Sequence, residues 1–187
     1  MITEIIGTIF GFLAVILTIK QNIWCWFFGL IQVIIYSYVF FEAKLYSDML
    51  LHIIYIFLQI WGWYSWKYYK NNLEKLKVSQ VKSMLLWGVV VLVFTCVLGL
   101  LMQLKTDASL PYLDAFTTIA SLVAQYLLIK KKLGSWIFWI IVDVVAIFIY
   151  CYKELYFTSG LYAVFLVLAI LGYIEWKKNL ETELTIA

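Results

Sequence analysis

Displaced against itself by 110 positions, this chain aligns two of its stretches without a gap. Thr8-Ile9 falls on Thr118-Ile119, Ile19-Lys20 on Ile129-Lys130, and Trp26 on Trp136. Leu45-Tyr46 falls on Leu155-Tyr156, and Gly62-x-x-x-Trp66-Lys67 on Gly172-x-x-x-Trp176-Lys177. Between residues 4–67 and 114–177, 17 of 64 positions are identical. Shared apolar composition accounts for some of these identities, but the ungapped Trp, Gly, Lys and Leu-Tyr matches go beyond it. The chain therefore holds two copies of one unit, and its fold has to give both copies the same local structure.

Composition says where those copies live. The chain is 65% hydrophobic and 13% charged, with a mean hydropathy of +0.95. A soluble domain of this length has no interior large enough for so much apolar surface. The charges gather in short segments between apolar runs, so the net charge of +3 reflects membrane topology and gives no reason to expect a nucleic-acid partner. Cys25, Cys96 and Cys151 each fall inside an apolar run, with no CxxC spacing, and read as small packing residues. His52 is the single histidine, which leaves no basis for a His-based metal cluster. P-loop, GxSxG, HExxH and GxGxxG patterns are absent, so no catalytic residue, metal or cofactor is assigned. The apolar N-terminus carries Glu4 in place of a basic leader and reads as a first spanning helix.

Seven apolar segments follow: Ile5–Ile19, Ile23–Phe41, Met49–Trp66, Met84–Met102, Leu113–Ile129, Ser135–Tyr152 and Leu155–Trp176. Helices are the expected form, because backbone groups in lipid must be satisfied within the segment. Eleven lysines (20, 67, 70, 75, 77, 82, 130, 131, 132, 177 and 178) lie at one set of segment ends, and three (44, 105 and 153) at the other. The positive-inside rule then predicts an inner-membrane, multi-pass protein with its N-terminus outside and its C-terminus in the cytoplasm. A three-helix unit leaves the membrane on the side opposite its entry. The unpaired fourth segment therefore restores the direction of the second copy. The expected fold is all-α and integral to the membrane, a single domain over 1–187. Its seven transmembrane helices form a 3+1+3 parallel repeat: repeat one 4–67, linker helix 83–104, repeat two 114–177. Parallel repeats of this kind occur in SWEET-type transporters, and duplicated units commonly place a substrate site between the copies.

Polar groups at membrane depth are costly and should face the bundle interior or a watery cavity. Asp48, His52, Tyr55, Gln59 and Trp63 form one stripe along the third segment, at spacings of four, three, four and four. Gln32 and Tyr36 share a face of the second segment. Trp136, Trp139 and Asp143 share a face of the sixth, while Gln125 and Tyr162 lie on the fifth and seventh. Each has a bland reading beside the functional one. Asp48 suits a helix start, His52 and the glutamines suit interhelical hydrogen bonds, and Trp63, Trp66 and Trp176 suit an interfacial belt. Gly62 and Gly172 suit close helix packing. Asp143 has no lysine within a helical turn and is the sharpest candidate. It reads as a protonated acid, a helix-packing hydrogen bonder, or a group that attracts a cationic or hydroxyl-rich ligand. Aromatic rings beside a carboxylate suit a flat cationic heterocycle.

Several runs carry a family resemblance that covers nearly the whole chain. Asn22-Ile-Trp-Cys-Trp-Phe-Phe-Gly29, Lys44-Leu-Tyr-Ser-Asp-Met49 and Trp61-Gly-Trp-Tyr-Ser-Trp66 resemble the first half of PnuC-type vitamin transporters. Trp136-Ile-Phe-Trp139, Asp143 and Glu154-Leu-Tyr-Phe-Thr158 resemble the second half. The resemblance implies a seven-helix, full-length SWEET-like importer of nicotinamide riboside. It implies transport by facilitated diffusion, with a cytoplasmic kinase trapping the vitamin, and a place for Trp136 and Trp139 in the substrate site. Many nicotinamide riboside members carry asparagine where this chain has Asp143. That departure, with the short linker around the fourth segment, resembles thiamine-transporting relatives, so thiamine or another flat vitamin is the alternative cargo.

The expected substrate-binding set is Trp136, Trp139, Asp143, Gln59, Tyr55, Gln32, Tyr36, His52 and Tyr162. The expected partners are a small vitamin, the lipid bilayer and, in function, a cytoplasmic kinase; a homo-oligomer is left open. A non-transporting membrane scaffold and an intramembrane enzyme using Asp48, His52 or Asp143 are the readings from other classes. The enzyme reading lacks a second acid on the face of Asp143.

Overall fold

In the computed structural model, the described residues form seven helices along the apolar runs. They are α1 (Ile2–Ile19), α2 (Trp24–Glu42), α3 (Tyr46–Asn71), α4 (Met84–Lys105), α5 (Pro111–Ile129), α6 (Gly134–Tyr152) and α7 (Tyr156–Ile186). The structure describes residues 2–42, 46–71, 77–106 and 109–186, and only the backbone of 2, 4, 46–48, 69–71, 183, 184 and 186. Lys44, Leu45 and Lys75 lie outside the described residues, and so does the side chain of Asp48.

Among the described residues, five helices, α2 and α4 to α7, are long and apolar enough to cross a membrane, and α1 carries a shorter apolar stretch, Ile5–Ile19. The sequence predicts seven spans, and α3 falls short of that standard for a physical reason. Its 26 residues include the polar stripe of His52, Gln59 and their neighbours, which lowers its hydropathy. α7 runs ten residues past Trp176, the predicted end of the last span.

The helix ends of the two aligned stretches match in their hydrogen bonds. α1 closes with Gln21 in the left-handed region at φ 52°, and α5 with Lys131 at φ 48°. Asn22 N–H donates to Leu17 C=O at 2.8 Å and Gln21 N–H to Thr18 C=O at 2.9 Å. Lys132 N–H donates to Leu127 C=O and Lys131 N–H to Leu128 C=O, both at 2.9 Å. These paired bonds are Schellman caps, which satisfy carbonyls left free at a helix end. The residues involved are 110 apart in every case. α6 ends the same way, with Glu154 at φ 59° and Leu155 N–H donating to Tyr150 C=O at 2.8 Å.

The chain divides into two compact units, Met1–Lys77 and Val78–Ala187. In the first, α2 packs against both α1 and α3. In the second, α6 packs against both α5 and α7, and α4 packs on α5. α4, expected as a linker, is thus part of the second unit. Its inner face joins a core of Val91, Ala120, Val123, Ala124, Leu127, Phe138 and Val142. Leu85, Leu92, Phe94, Val97 and Leu101 on its outer face are exposed, as a lipid-facing surface requires. The segment before α4 is fastened to the α5–α6 turn. Ser79 N–H donates to Lys131 C=O at 3.1 Å, Leu133 N–H donates to Ser79 C=O at 2.9 Å, and Lys132 Nζ donates to Ser79 Oγ at 2.9 Å.

Two of the three cysteines depart from the packing role expected of them. Cys25 is buried, but Cys96 and Cys151 are exposed, and Cys151 Sγ lies 3.1 Å from Ser159 Oγ.

Candidate functional site

Each unit has a matched layer of aromatic rings at its lysine-rich end. In the first, the Trp26 indole lies on Gly62, whose missing β-carbon leaves room for the ring, and meets Trp66 edge-on at 5.3 Å and 84°. In the second, Trp136 lies on Gly172, where a β-carbon would come within 2.5 Å of the ring, and meets Trp176 at 5.5 Å and 87°. Trp26 and Trp136 are 1% and 3% exposed, and their Nε1 atoms are buried without a hydrogen-bond partner among the described residues. Both units thus carry the same unmet donor, a cost of roughly 1–3 kcal/mol each. Trp66 and Trp176, expected in an interfacial belt, are 5% and 0% exposed. Their rings close the ends of these packed pairs, so the belt reading is corrected for both. Trp63 is half-buried, against Trp24 and Phe27. Close packing at Gly62 and Gly172 is borne out.

A second matched layer lies toward the other end of each unit. His52 of α3 meets Phe40 at 4.9 Å and Tyr55 at 6.0 Å. Tyr162 of α7, the counterpart of His52, meets Tyr150 at 5.2 Å and Phe165 at 6.3 Å. Tyr36 joins only the first cluster, 5.8 Å from His52, and its hydroxyl lies 2.9 Å from Thr8 Oγ1. Tyr36, His52 and Tyr55 are therefore brought together, while Tyr162 belongs to the equivalent cluster of the other unit.

Between those layers the units differ. In the first, the Gln59 amide is seated on Gly29 and the Gln32 amide on Gly11. In the second, Gly29 is replaced by Trp139 and Gln59 by Ala169, so the large and small partners exchange sides. Likewise Gly11 and Gln32 correspond to Ser121 and Val142. Trp139 is half-buried against the core of its unit. One turn further along α6, Asp143 is 5% exposed and has no hydrogen-bond or ion-pair partner among the described residues. Val33, its counterpart, is an ordinary core residue at 5%. Gln125, on α5, is also buried.

Sequence reasoning missed Gly11 and Gly29, although the 110-residue shift already set Gly29 against Trp139. It also missed Phe40, Tyr150 and Thr8, whose roles depend on a second helix supplying the neighbour.

The sequence profile of the family described as nicotinamide mononucleotide transporter matches residues 1–178. This chain belongs to that family. As a nicotinamide mononucleotide transporter family member it is a transporter and not an enzyme, which removes the intramembrane-enzyme and scaffold readings. A nicotinamide riboside transporter PnuC of Neisseria mucosa is 30% identical over 92% of this chain and 71% of its own length. The nicotinamide riboside transporter PnuC of Escherichia coli is 28% identical over 92% of this chain and 84% of its own length. A crystal structure of the vitamin B3 transporter PnuC superposes with a TM-score of 0.76 at 28% identity, covering 96% of this chain and 82% of that one.

Proposed function

We propose that this protein imports nicotinamide riboside across the cytoplasmic membrane by facilitated diffusion. The reading is carried by the relatives named for that substrate, which match 92% of the chain. Chemistry supports it independently. Nicotinamide riboside is a flat pyridinium cation carrying a carboxamide and ribose hydroxyls. Asp143 supplies the counter-charge, Trp139 a stacking face, and Gln32 and Gln59 the amide edges for hydroxyl and carboxamide groups. Tyr36, His52, Tyr55 and Tyr162 form the aromatic clusters that the vitamin passes. Trp136, closed against Gly172 and Trp176, acts in this reading by holding the start of α6.

The unphosphorylated riboside fits better than its mononucleotide. A phosphate needs cationic partners, above all arginine. The chain has no arginine, and its lysines lie at the ends of the apolar stretches. The Asp143 carboxyl would also repel a phosphate.

The proposed architecture is the 3+1+3 parallel repeat, with the lysine-rich ends in the cytoplasm and the N-terminus outside. Matched Schellman caps and Trp–Gly pairs support the repeat, and the lysine distribution supports the orientation. Metabolic trapping by a cytoplasmic kinase follows if transport only equilibrates the vitamin. Thiamine is the second reading, because it is also a flat cation and suits Asp143 equally well. Thermal-shift and calorimetric measurements with nicotinamide riboside, its mononucleotide, thiamine and riboflavin decide among them, since a ligand that binds the folded state raises its stability. Stabilisation by nicotinamide riboside alone is expected; stabilisation by thiamine alone would replace the cargo. Proteoliposomes without a kinase should equilibrate the substrate, and accumulation above the external level would rule out facilitated diffusion.

A further inference from the structure

Gly11 and Gly29 are used in a way their counterparts in the second unit are not. A β-carbon built on Gly29 would lie 2.5 Å from Gln59 Nε2, 2.9 Å from Cδ and 3.0 Å from Oε1. One built on Gly11 would lie 2.8, 2.9 and 3.2 Å from the same atoms of Gln32. Three amide atoms at nearly equal distances mean that the flat face of each amide rests on the glycine. The N–H and lone-pair directions lie in the plane of an amide. Face-on seating therefore leaves both polar edges free of the supporting helix. Neither amide has a hydrogen-bond partner among the described residues. In the second unit the matched positions are Trp139 and Ala169, and Val142 and Ser121, so neither glycine is shared by the two aligned stretches and the notches go with the amides.

We propose that Gly11 and Gly29 are specificity-determining positioning residues, which hold the Gln32 and Gln59 amides edge-outward to read the polar groups of the substrate. The proposal rests on the reading that these glutamines touch the substrate. It predicts an unusual outcome for an added methyl group. The obstructing atoms belong to the far end of a flexible side chain, so the amide swings aside at little cost to the fold. What is lost is the orientation of its edges.

The test measures uptake of labelled nicotinamide riboside into proteoliposomes, together with the melting temperature of each purified variant. Gly29→Ala and Gly11→Ala should each raise KM about tenfold, the scale of one or two hydrogen bonds lost from a neutral partner, with the melting temperature nearly unchanged. Gln59→Ala and Gln32→Ala should raise KM by a similar factor. In Gly29→Ala/Gln59→Asn the shorter side chain clears the new methyl group, and KM should fall back toward the native value. If Gln59→Ala and Gln32→Ala leave KM unchanged, the glutamines do not touch the substrate and the underlying reading fails. If they raise KM but the glycine variants do not, contact stands and positioning is overturned. A glycine variant that melts much lower, with KM unchanged and no rescue by the shorter side chain, assigns the glycine to packing and also overturns the proposal.

Discussion

The middle layers of the two units solve one packing problem in opposite ways. In the first unit the central helix α2 is small at Gly29, and α3 reaches across with Gln59. In the second the central helix α6 is large at Trp139, and α7 is small at Ala169. Above and below, the Trp–Gly–Trp pairs and the aromatic clusters repeat with almost the same geometry. Duplicated layers carry the fold, because each must serve both copies. The middle layer is therefore where the two units differ in chemistry, with amides in the first and a carboxyl and an indole in the second.

The strongest way to break this comparison is to move the carboxyl to the matched position. Val33→Asp places it where the first unit has an ordinary core residue. A buried carboxyl with no partner takes up a proton and still loses roughly 2–7 kcal/mol of hydration, so the variant should fail to fold or melt far below the native protein. A Val33→Asp protein with a native melting temperature would mean that the two middle layers are interchangeable. Next in size are Gly62→Ala and Gly172→Ala. Each new methyl group meets a rigid indole already held by a second tryptophan, so overpacking of roughly 1–3 kcal/mol is expected at both. Similar losses confirm that the layer is duplicated in energy as well as in geometry. A large loss at one and none at the other would confine the scaffold role to a single unit.

Asp143→Asn tests function where those two test the fold. An uncharged amide of the same size should leave the melting temperature unchanged or raised, because no partner of the carboxyl is lost. Affinity for nicotinamide riboside should fall by about ten- to a hundredfold, the worth of a hydrogen bond or contact involving a charged group. Binding measured by calorimetry at native strength would remove Asp143 from the proposed site.

Much of this was legible in the sequence, for reasons that separate by length scale. The helices follow from apolar runs, and the matched cap and Trp–Gly positions from an ungapped shift, both properties of a single chain read in order. The α3 stripe was also legible. His52, Tyr55, Gln59 and Trp63 are all half-buried, while Ile54, Phe57, Ile60, Trp61 and Tyr64 on the other side are exposed. The fates of the tryptophans were not. Trp66 and Trp176 sit beside lysines, where a belt residue would sit, and only the approach of α2 and α6 over a glycine turns them inward. Cys96 and Cys151 failed in the opposite sense. An apolar run identifies a span but does not say which of its faces meets lipid. The glycine notches needed pairs of residues from two helices, information that periodicity along one helix does not hold.

The smallest expected effect concerns the charges at the start of each repeat. Asp114 lies in the first turn of α5, and both its carboxylate oxygens are 3.3 Å from Lys153 Nζ. The pair is 25% and 31% exposed, so screening limits it to about 1 kcal/mol or less. Asp114 also faces the positive end of the α5 dipole, worth about 0.3–1 kcal/mol on its own. Lys153→Met removes the ion pair alone, and Asp114→Asn removes both contributions, so the second should destabilise more. In the first unit Glu4 occupies the matched first-turn position of α1, but the position matching Lys153 is Ala43. Glu4→Gln should therefore cost only the dipole contribution, equal to the difference between the Asp114→Asn and Lys153→Met losses. Melting curves of the three variants measure this directly. If Glu4→Gln costs as much as Asp114→Asn, the acid in the first unit has found another cation, and the units are more alike at this end than their sequences indicate.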